Sequence, residues 1–466
     1  MRAAGFHRTA ENAAAGRATL PKLVRQPNRL AHMVAIIQLR QWRLVGAHQG
    51  GLELADVRAG HDARRLRRDR PWNLFRQLNA VQRIPCDERA DWREQADKAG
   101  FAFHTIDGEP YWDERAYYAF TLEEIENDIE APTAEIEQMC YDLVDRALKD
   151  ERILRALRIP ERCWTLMATS WKRRDKNLYG RFDLSYDGRG PAKLLEYNAD
   201  TPTAVFETAV FQWQWLEQAI ARGIVPKTAD QYNSLHERLI ESWKVIGQGG
   251  HLHLAGTTTS AEDLGTLQYI EDTARQAGLT TTVLAMDAIG RMPDGRFVDL
   301  DNKPITLLFK LYPWEWMFRE QFGAYLAGAS TRFVEPPWKA ILSNKGILPL
   351  LWSMFPRHPN LLPAYFEGDP EAASLGSSFV RKPLYSREGA NVEMVVNGEV
   401  IDADAGPYGG EGHVRQAMAT LPRFGDDYAV IGSWVAAGQP CGLSIREDAS
   451  AITKNTSRFV PHAIVE

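Results

Sequence analysis

The stretch RFDLSYDGRGPAKLLEYNAD, residues 181–200, places a cation, two carboxylates and an amide at alternating positions: Arg181, Asp183, Glu196 and Asn198. Side chains alternate across a strand with period two, so Arg181, Asp183 and Ser185 share one face while Phe182, Leu184 and Tyr186 share the other. The second run repeats the pattern, with Leu195 and Tyr197 opposed to Glu196 and Asn198. A two-residue turn within Asp187-Gly188-Arg189-Gly190 pairs odd positions with even ones and gathers all four polar groups on one side; a three-residue loop would break the cluster. Two readings stand at this point. The first is a sheet with one solvated face, common among antiparallel sheets. The second is an oxygen-rich Mg²⁺ site, because Asp, Glu and Asn oxygens are hard ligands and Mg²⁺ completes its shell with water and phosphate. Arg181 would then face the same anion as the metal.

Further cations lie downstream. Lys345 in SNKGILPLLW stands where a helix would begin. Lys382 in FVRKPLYSREGANVEM ends an apolar strand, and a loop holding Ser386, Arg387, Glu388 and Gly389 follows it directly. Arg446 in GLSIRED lies on a late strand. Each alone reads as a solvated charge or salt bridge. Together with the hairpin they propose a nucleotide-triphosphate site, with cations meeting phosphates and carboxylates meeting the metal. The sequence has neither GxxxxGK[ST] nor GxGxxG, so phosphate must be gripped differently. One solution lays ATP between two antiparallel sheets, with strand lysines on its phosphates and a Gly-containing loop as lid.

These residues need a scaffold. Thr121 and Glu124 form a capping box, with Ile125 and Ile129 on one helical stripe. A break at Pro132 precedes a second periodic helix through Ile136, Met139, Cys140, Leu143, Val144, Ala147 and Leu148. HLHLAG (251–256) reads as a strand, Ser260 as the cap of the next helix, and LTTTVLAM as the following strand. That order, with PITLLFKLY after it, predicts a Rossmann-like layer at about 250–312. The last third predicts Gly-turned hairpins, so the class is α/β early and strand-rich late.

The chain has 466 residues, 44% hydrophobic and 25% charged, an ordinary globular composition with room for two or three domains. A formal net charge of -6 argues against a dedicated nucleic-acid binder. The longest apolar run, GILPLLWSMF, falls short of the roughly 18 residues of a membrane span. Residues 1–82 form an Arg-rich, acid-poor extension, read as disordered or as a mis-assigned start, without the apolar stretch of a secretory signal. The four cysteines are widely scattered, without CxxC spacing.

Residues 83–466 resemble the synthetase part of the glutathionylspermidine synthase family, whose fold is the ATP-grasp. The similar segments include ADWREQADKAGFAFHTIDGEPYWDERAYYAFT, RFDLSYDGRGPAKLLEYNADTPTA, SNKGILPLLW, RKPLYSREGANV, YGGEGHVRQA and GLSIREDASAITKNTSRFVPH; their order and spacing make the likeness specific. The resemblance implies an α/β ATP-grasp fold with a Rossmann-like pre-ATP-grasp domain. It also implies Mg²⁺ on Asp183, Glu196 and Asn198, catalytic roles for Arg181 and Arg446, and ATP contacts from Lys345 and Lys382. Arg387, Glu388 and Gly389 fall in the lid over the phosphates, and Thr201 matches a substrate-contacting position. Glu262 and Asp263 lie near the family's amine-side acidic region. The segment before the synthetase part is too short for the Cys/His amidase domain of the bifunctional members, which implies the synthetase-only branch, and the likeness runs to the family's end.

The implied reaction is an ATP- and Mg²⁺-dependent joining of a carboxylate, peptide- or glutathione-like, to a polyamine-like amine through an acyl-phosphate. Small-molecule acid and amine partners, no nucleic acid or membrane, and a cytoplasmic location follow from that reading. Two rivals are an ATP-binding scaffold without ligase activity and a glycosidase with paired carboxylates. The glycosidase has no use for Lys345, Lys382 or a metal-type Asn.

Overall fold

A computed structural model describes residues 81–465 apart from 107 and 420, so the Arg-rich extension, except for its last two residues, lies outside the described residues. The described chain is mixed α/β. Strand β1 (Gln82–Pro85), helix α1 (Trp92–Ala99) and strand β2 (Ala116–Phe120) lead into the capping box. There Thr121 N–H donates to Glu124 Oε2 at 2.8 Å and Glu124 N–H to Thr121 Oγ1 at 3.1 Å. The helix that follows does not break at Pro132. A wide-turn segment, Glu124–Glu130, runs directly into α2 (Ala131–Ala147), with Pro132 in its first turn. A first-turn proline gives up an N–H that is an orphan in most helices, and the wider preceding turn has room for the ring. The expected apolar stripe is buried, except that Leu148 is only partly covered.

After α3 (Glu161–Lys172) comes the polar hairpin, β3 (Tyr179–Ser185) and β4 (Lys193–Asn198). The expected two-residue turn is absent: residues 186–192 form the connection, and Ser185 pairs with Lys193. That register alone would set odd against odd and divide the polar groups between faces. A one-residue bulge at Leu195 restores the alignment, so Leu184 pairs with Leu194 while Asp183 pairs with Glu196 and Arg181 with Asn198. Behind the polar face, Phe182 and Tyr197 stack with ring centroids 3.8 Å apart.

Helices α4 (Gln212–Arg222) and α5 (Leu235–Gly247) precede a parallel sheet built from β5 (His251–Gly256), β6 (Thr280–Ala285), β7 (Leu307–Leu311) and β8 (Arg332–Val334). Its order is β8-β7-β5-β6, and helix α6 (Ala261–Gln276) carries the chain from β5 to β6, capped by Ser260 Oγ accepting from Asp263 N–H. Helix α7 (Ile347–Met354) then leads to an antiparallel sheet of β9 (Ala364–Phe366), β10 (Phe379–Pro383), β11 (Glu393–Val396), β12 (Glu399–Ala403) and β13 (His413–Gln416), ordered β9-β13-β10-β11-β12. The final hairpin, β14 (Asp427–Ala436) and β15 (Gln439–Asp448), joins β16 (Arg458–Val460) and the polar hairpin in the order β16-β15-β14-β3-β4, and β17 (His462–Ile464) closes on β2. Strand β4 is therefore an edge, with main-chain carbonyls available to a second sheet. Among the described residues no helix is long and apolar enough to cross a membrane.

Candidate functional site

The site begins where the two antiparallel sheets meet. Lys382 on β10 and Gln416 on β13 reach the edge of β4: Lys382 Nζ donates to Leu195 O at 2.8 Å, and Gln416 Nε2 to Leu194 O at 3.0 Å. Leu195 is the bulge residue, so one irregularity both aligns the polar face and frees a carbonyl for the opposing lysine. Lys345, just before α7, comes within 3.1 Å of Glu196 and donates to Ser386 O at 2.9 Å. The hairpin, the helix start and the second sheet thus converge on one cleft.

The polar face is internally bonded. Arg181 forks onto Asp183 through Nε–Oδ1 at 2.6 Å and Nη2–Oδ2 at 3.1 Å, and Nη1 donates to Thr203 O at 2.9 Å. Asn198 Nδ2 reaches Asp183 Oδ2 at 3.0 Å and Glu196 Oε1 at 3.1 Å. Gly432 on β14 faces Asp183 in register, and a Cβ there would lie 2.7 Å from Arg181 Cδ. A glycine is needed for the guanidinium to lie flat across the sheet. Burial favours the neutral form of Glu196, but Lys345 and Lys382 outweigh it and hold the carboxyl at about 2. Burial pushes Lys382 down to about 8 against the attraction of Glu196. The Asp183 carboxyl is pushed up by burial despite Arg181.

Two carboxylates and an amide lie within hydrogen-bond reach of one another, with the amide nitrogen toward both carboxylates; with that amide turned, all three would offer the hard oxygens that suit Mg²⁺. Among the described residues no group of three or more His, Cys, Asp or Glu gathers where it could hold a metal ion. The loop after Lys382 lies over the cleft: Gly389 has φ +75°, and a Cβ there would meet Thr453 O at 2.7 Å. Beneath it, bounded by Asp183, Glu196, Lys382, Gly389 and Thr453, is a cavity of about 100 Å³.

The remaining expected residues include Arg446 of β15, which lies within electrostatic reach of Asp183. Arg387 Nη2 donates to Thr201 O at 3.2 Å, and the buried Thr201 hydroxyl makes no hydrogen bond. Arg446 is held by three carbonyls, with Nε on Ser457 O at 2.9 Å and Nη2 on Lys454 O and Asn455 O, each at 3.0 Å. Burial together with Glu262 and Glu388 raises Asp263 to about 6, against Arg387, so these four charges share one neighbourhood.

Sequence reasoning missed two groups here. Glu207 is buried and accepts from Tyr111 Oη at 2.7 Å; burial and the nearby Glu262 raise it to about 7. Asp200 holds the buried Lys310 ammonium of β7 and accepts from Trp314 N–H at 2.8 Å, tying the chain after Asn198 to the parallel sheet. The only sequence signal for either was a charged residue inside an apolar run, as with Lys310 in LLFKL.

The sequence profile described as glutathionylspermidine synthase, pre-ATP-grasp, matches residues 83–465. The chain belongs to the glutathionylspermidine synthase family. Its relatives in this family include a Haemophilus influenzae protein provisionally named an acid–amine ligase, 41% identical over 391 residues, covering 81% of this chain and 98% of the relative. The bifunctional glutathionylspermidine synthetase/amidase of Escherichia coli is 27% identical over 402 residues, covering 80% of this chain but 64% of the longer enzyme. Trypanothione synthetase of Crithidia fasciculata is 29% identical over 340 residues, covering 67% of this chain and 51% of that protein.

Proposed function

We propose that this protein is an ATP-dependent carbon–nitrogen ligase of ATP-grasp type that joins a carboxylate to an amine through an acyl-phosphate. The observation that carries the reading is the convergence of Lys345 and Lys382 on the acidic hairpin: Lys345 lies 3.1 Å from Glu196 and Lys382 donates to Leu195 O at 2.8 Å. A cation from the second sheet and one from the start of α7 thereby meet carboxylates of the hairpin across a cleft, as an ATP-grasp site requires. Family membership supports the same class, since the relatives above are named as ligases or synthetases.

A carboxylate resists amines because its oxygen leaves poorly. Phosphorylation by ATP makes that oxygen a leaving group; the amine attacks, and phosphate departs. The protein's part is placement and charge stabilisation, so no nucleophilic side chain is needed. Asp183, Glu196 and Asn198 would hold Mg²⁺, which when bound supplies positive charge to phosphate oxygens. Arg181 and Arg446 face the transferring phosphoryl group. Lys345 and Lys382 hold the nucleotide, and the loop through Arg387, Glu388 and Gly389 excludes water, which would otherwise hydrolyse the acyl-phosphate. Thr201 offers a free hydroxyl to the acid, while Glu262 and Asp263 present negative charge to a cationic amine. Glutathione-like acids and polyamine-like amines are the substrates to try first, and a cytoplasmic supply of ATP suits the reaction.

The test is ADP release with Mg-ATP and a matrix of acids and amines. We expect release only when a competent acid and amine are both present, with ¹⁸O from the acid's carboxylate appearing in phosphate. Tight Mg-ATP binding with no turnover for any pair would favour the scaffold reading instead.

A further inference from the structure

A second cavity, about 960 Å³, lies between α2 and α5 beside the turn that joins β14 to β15. None of the residues assigned to the cleft lines it. Tyr141 on α2, which lines it, donates its hydroxyl to the neighbouring Glu137 at 2.7 Å.

Its chemistry is specific. Tyr141, Trp171 and Trp338 form an aromatic wall: the two indoles meet edge-on with centroids 5.2 Å apart, and Tyr141 lies 5.8 Å from Trp338. Both indole N–H groups are already used, Trp338 on Asp175 O at 3.1 Å and Trp171 on Asp145 Oδ1 at 3.4 Å. The rings therefore offer the cavity hydrocarbon surface rather than donors. Asn177 is 8% exposed, and its amide nitrogen has only the Tyr141 hydroxyl beside it, outside good hydrogen-bond geometry. A buried donor so poorly partnered favours an added acceptor.

The rim decides the charge of a ligand. Three of its four carboxylates are paired, Asp145 with Lys149 at 2.5 Å, Asp175 with Arg173 at 2.8 Å and Glu241 with Arg238 at 3.7 Å; the fourth, Asp142, only accepts from Gln138 Nε2 at 3.1 Å. Arg174 and Lys176 also line the cavities on this side, and neither has an ion-pair partner among the described residues. Two unpaired cations thus stand against one unpaired carboxylate, Asp142, and the surplus is one positive charge.

We propose that this cavity binds a small molecule in which a planar aromatic ring carries an anionic group. The ring packs on Tyr141 and Trp171, which the buried Trp338 backs, an acceptor meets the Asn177 amide, and the anion meets Arg174 and Lys176. The volume falls in the range of roughly 300–1,000 Å³ typical of small-molecule sites. A nucleoside monophosphate and an aromatic carboxylate share this chemistry.

Calorimetric titration of the full chain with uridine monophosphate and, separately, indole-3-acetate tests the site and separates the two sources. We expect one of them to bind with Kd of about 1 mM or tighter. The double variant Arg174→Asn, Lys176→Ser should weaken it about tenfold or more at an unchanged melting temperature. Asparagine suits position 174 because its φ is +56°. A Trp171→Leu variant should weaken the same probe. No binding by either probe at several times that concentration, or binding undiminished in the double variant, overturns the proposal; the second result would place the probe in the cleft instead.

Discussion

Replacing Arg181 by methionine separates its two roles. Its guanidinium neutralises Asp183 through contacts of 2.6 and 3.1 Å, with both side chains 12% exposed. Two unit charges about 4 Å apart at an effective dielectric of about 20 attract by about 4 kcal/mol. Removing one member of a buried pair typically costs about 3–5 kcal/mol, because the survivor is left unpaired. The residual solvent contact puts Arg181→Met near the lower bound, at about 3 kcal/mol, including the lost bond to Thr203 O. Asp183→Asn in the same background removes the orphaned charge, so the double variant should recover about 2 kcal/mol relative to Arg181→Met. Urea unfolding of the four proteins measures this coupling. Turnover, read as ADP release, should fall by about two to three orders of magnitude in Arg181→Met wherever the protein is folded, the usual loss for one electrostatic clamp. Near-normal turnover, or stability changes that simply add, would refute the assignment.

Glu207, raised to about 7 from an ordinary 4.5 by burial and Glu262, gives a pH signature. A carboxyl whose pKa is higher in the folded protein stabilises fully below its unfolded value and loses that contribution as pH rises through the folded one. Stability on the order of 3 kcal/mol should therefore be lost between about pH 4.5 and 7, and Glu207→Gln should abolish the trend; urea midpoints at pH 5 and pH 8 check it. Gly389→Ala meets both the positive φ and the 2.7 Å approach to Thr453 O. It should leave the fold intact but loosen the lid and weaken ATP about tenfold. Limited proteolysis follows the lid directly: Mg-ATP should protect 386–391 in the native chain and much less in the variant, and equal cleavage throughout would argue against a lid.

The polar face of the hairpin was legible because period-two alternation is a local property of the chain, and Arg181, Asp183, Glu196 and Asn198 do meet. The route to it was not. A seven-residue connection and a bulge at Leu195 replace the short turn, and bulges leave no mark in a pattern of polar and apolar letters. Caps were readable at Thr121 and Ser260 for the same local reason. Pro132 misled because its effect depends on the wide turn before it. Glu207 with Tyr111 and Asp200 with Lys310 stayed hidden, since each pair is about a hundred residues apart in sequence and only the folded chain brings them together.

The central claim is that Asp183, Glu196 and Asn198 face a nucleotide held by Lys345 and Lys382. Equilibrium binding of ATP with and without Mg²⁺, in the native chain and in Asp183→Asn, Glu196→Gln, measures this most directly. We expect Mg²⁺ to tighten ATP by about tenfold or more in the native chain and to have little effect in the double variant, while Lys382→Met weakens ATP with or without metal. Mg²⁺ dependence that survives loss of both carboxylates, or nucleotide affinity indifferent to Lys382, would contradict the account.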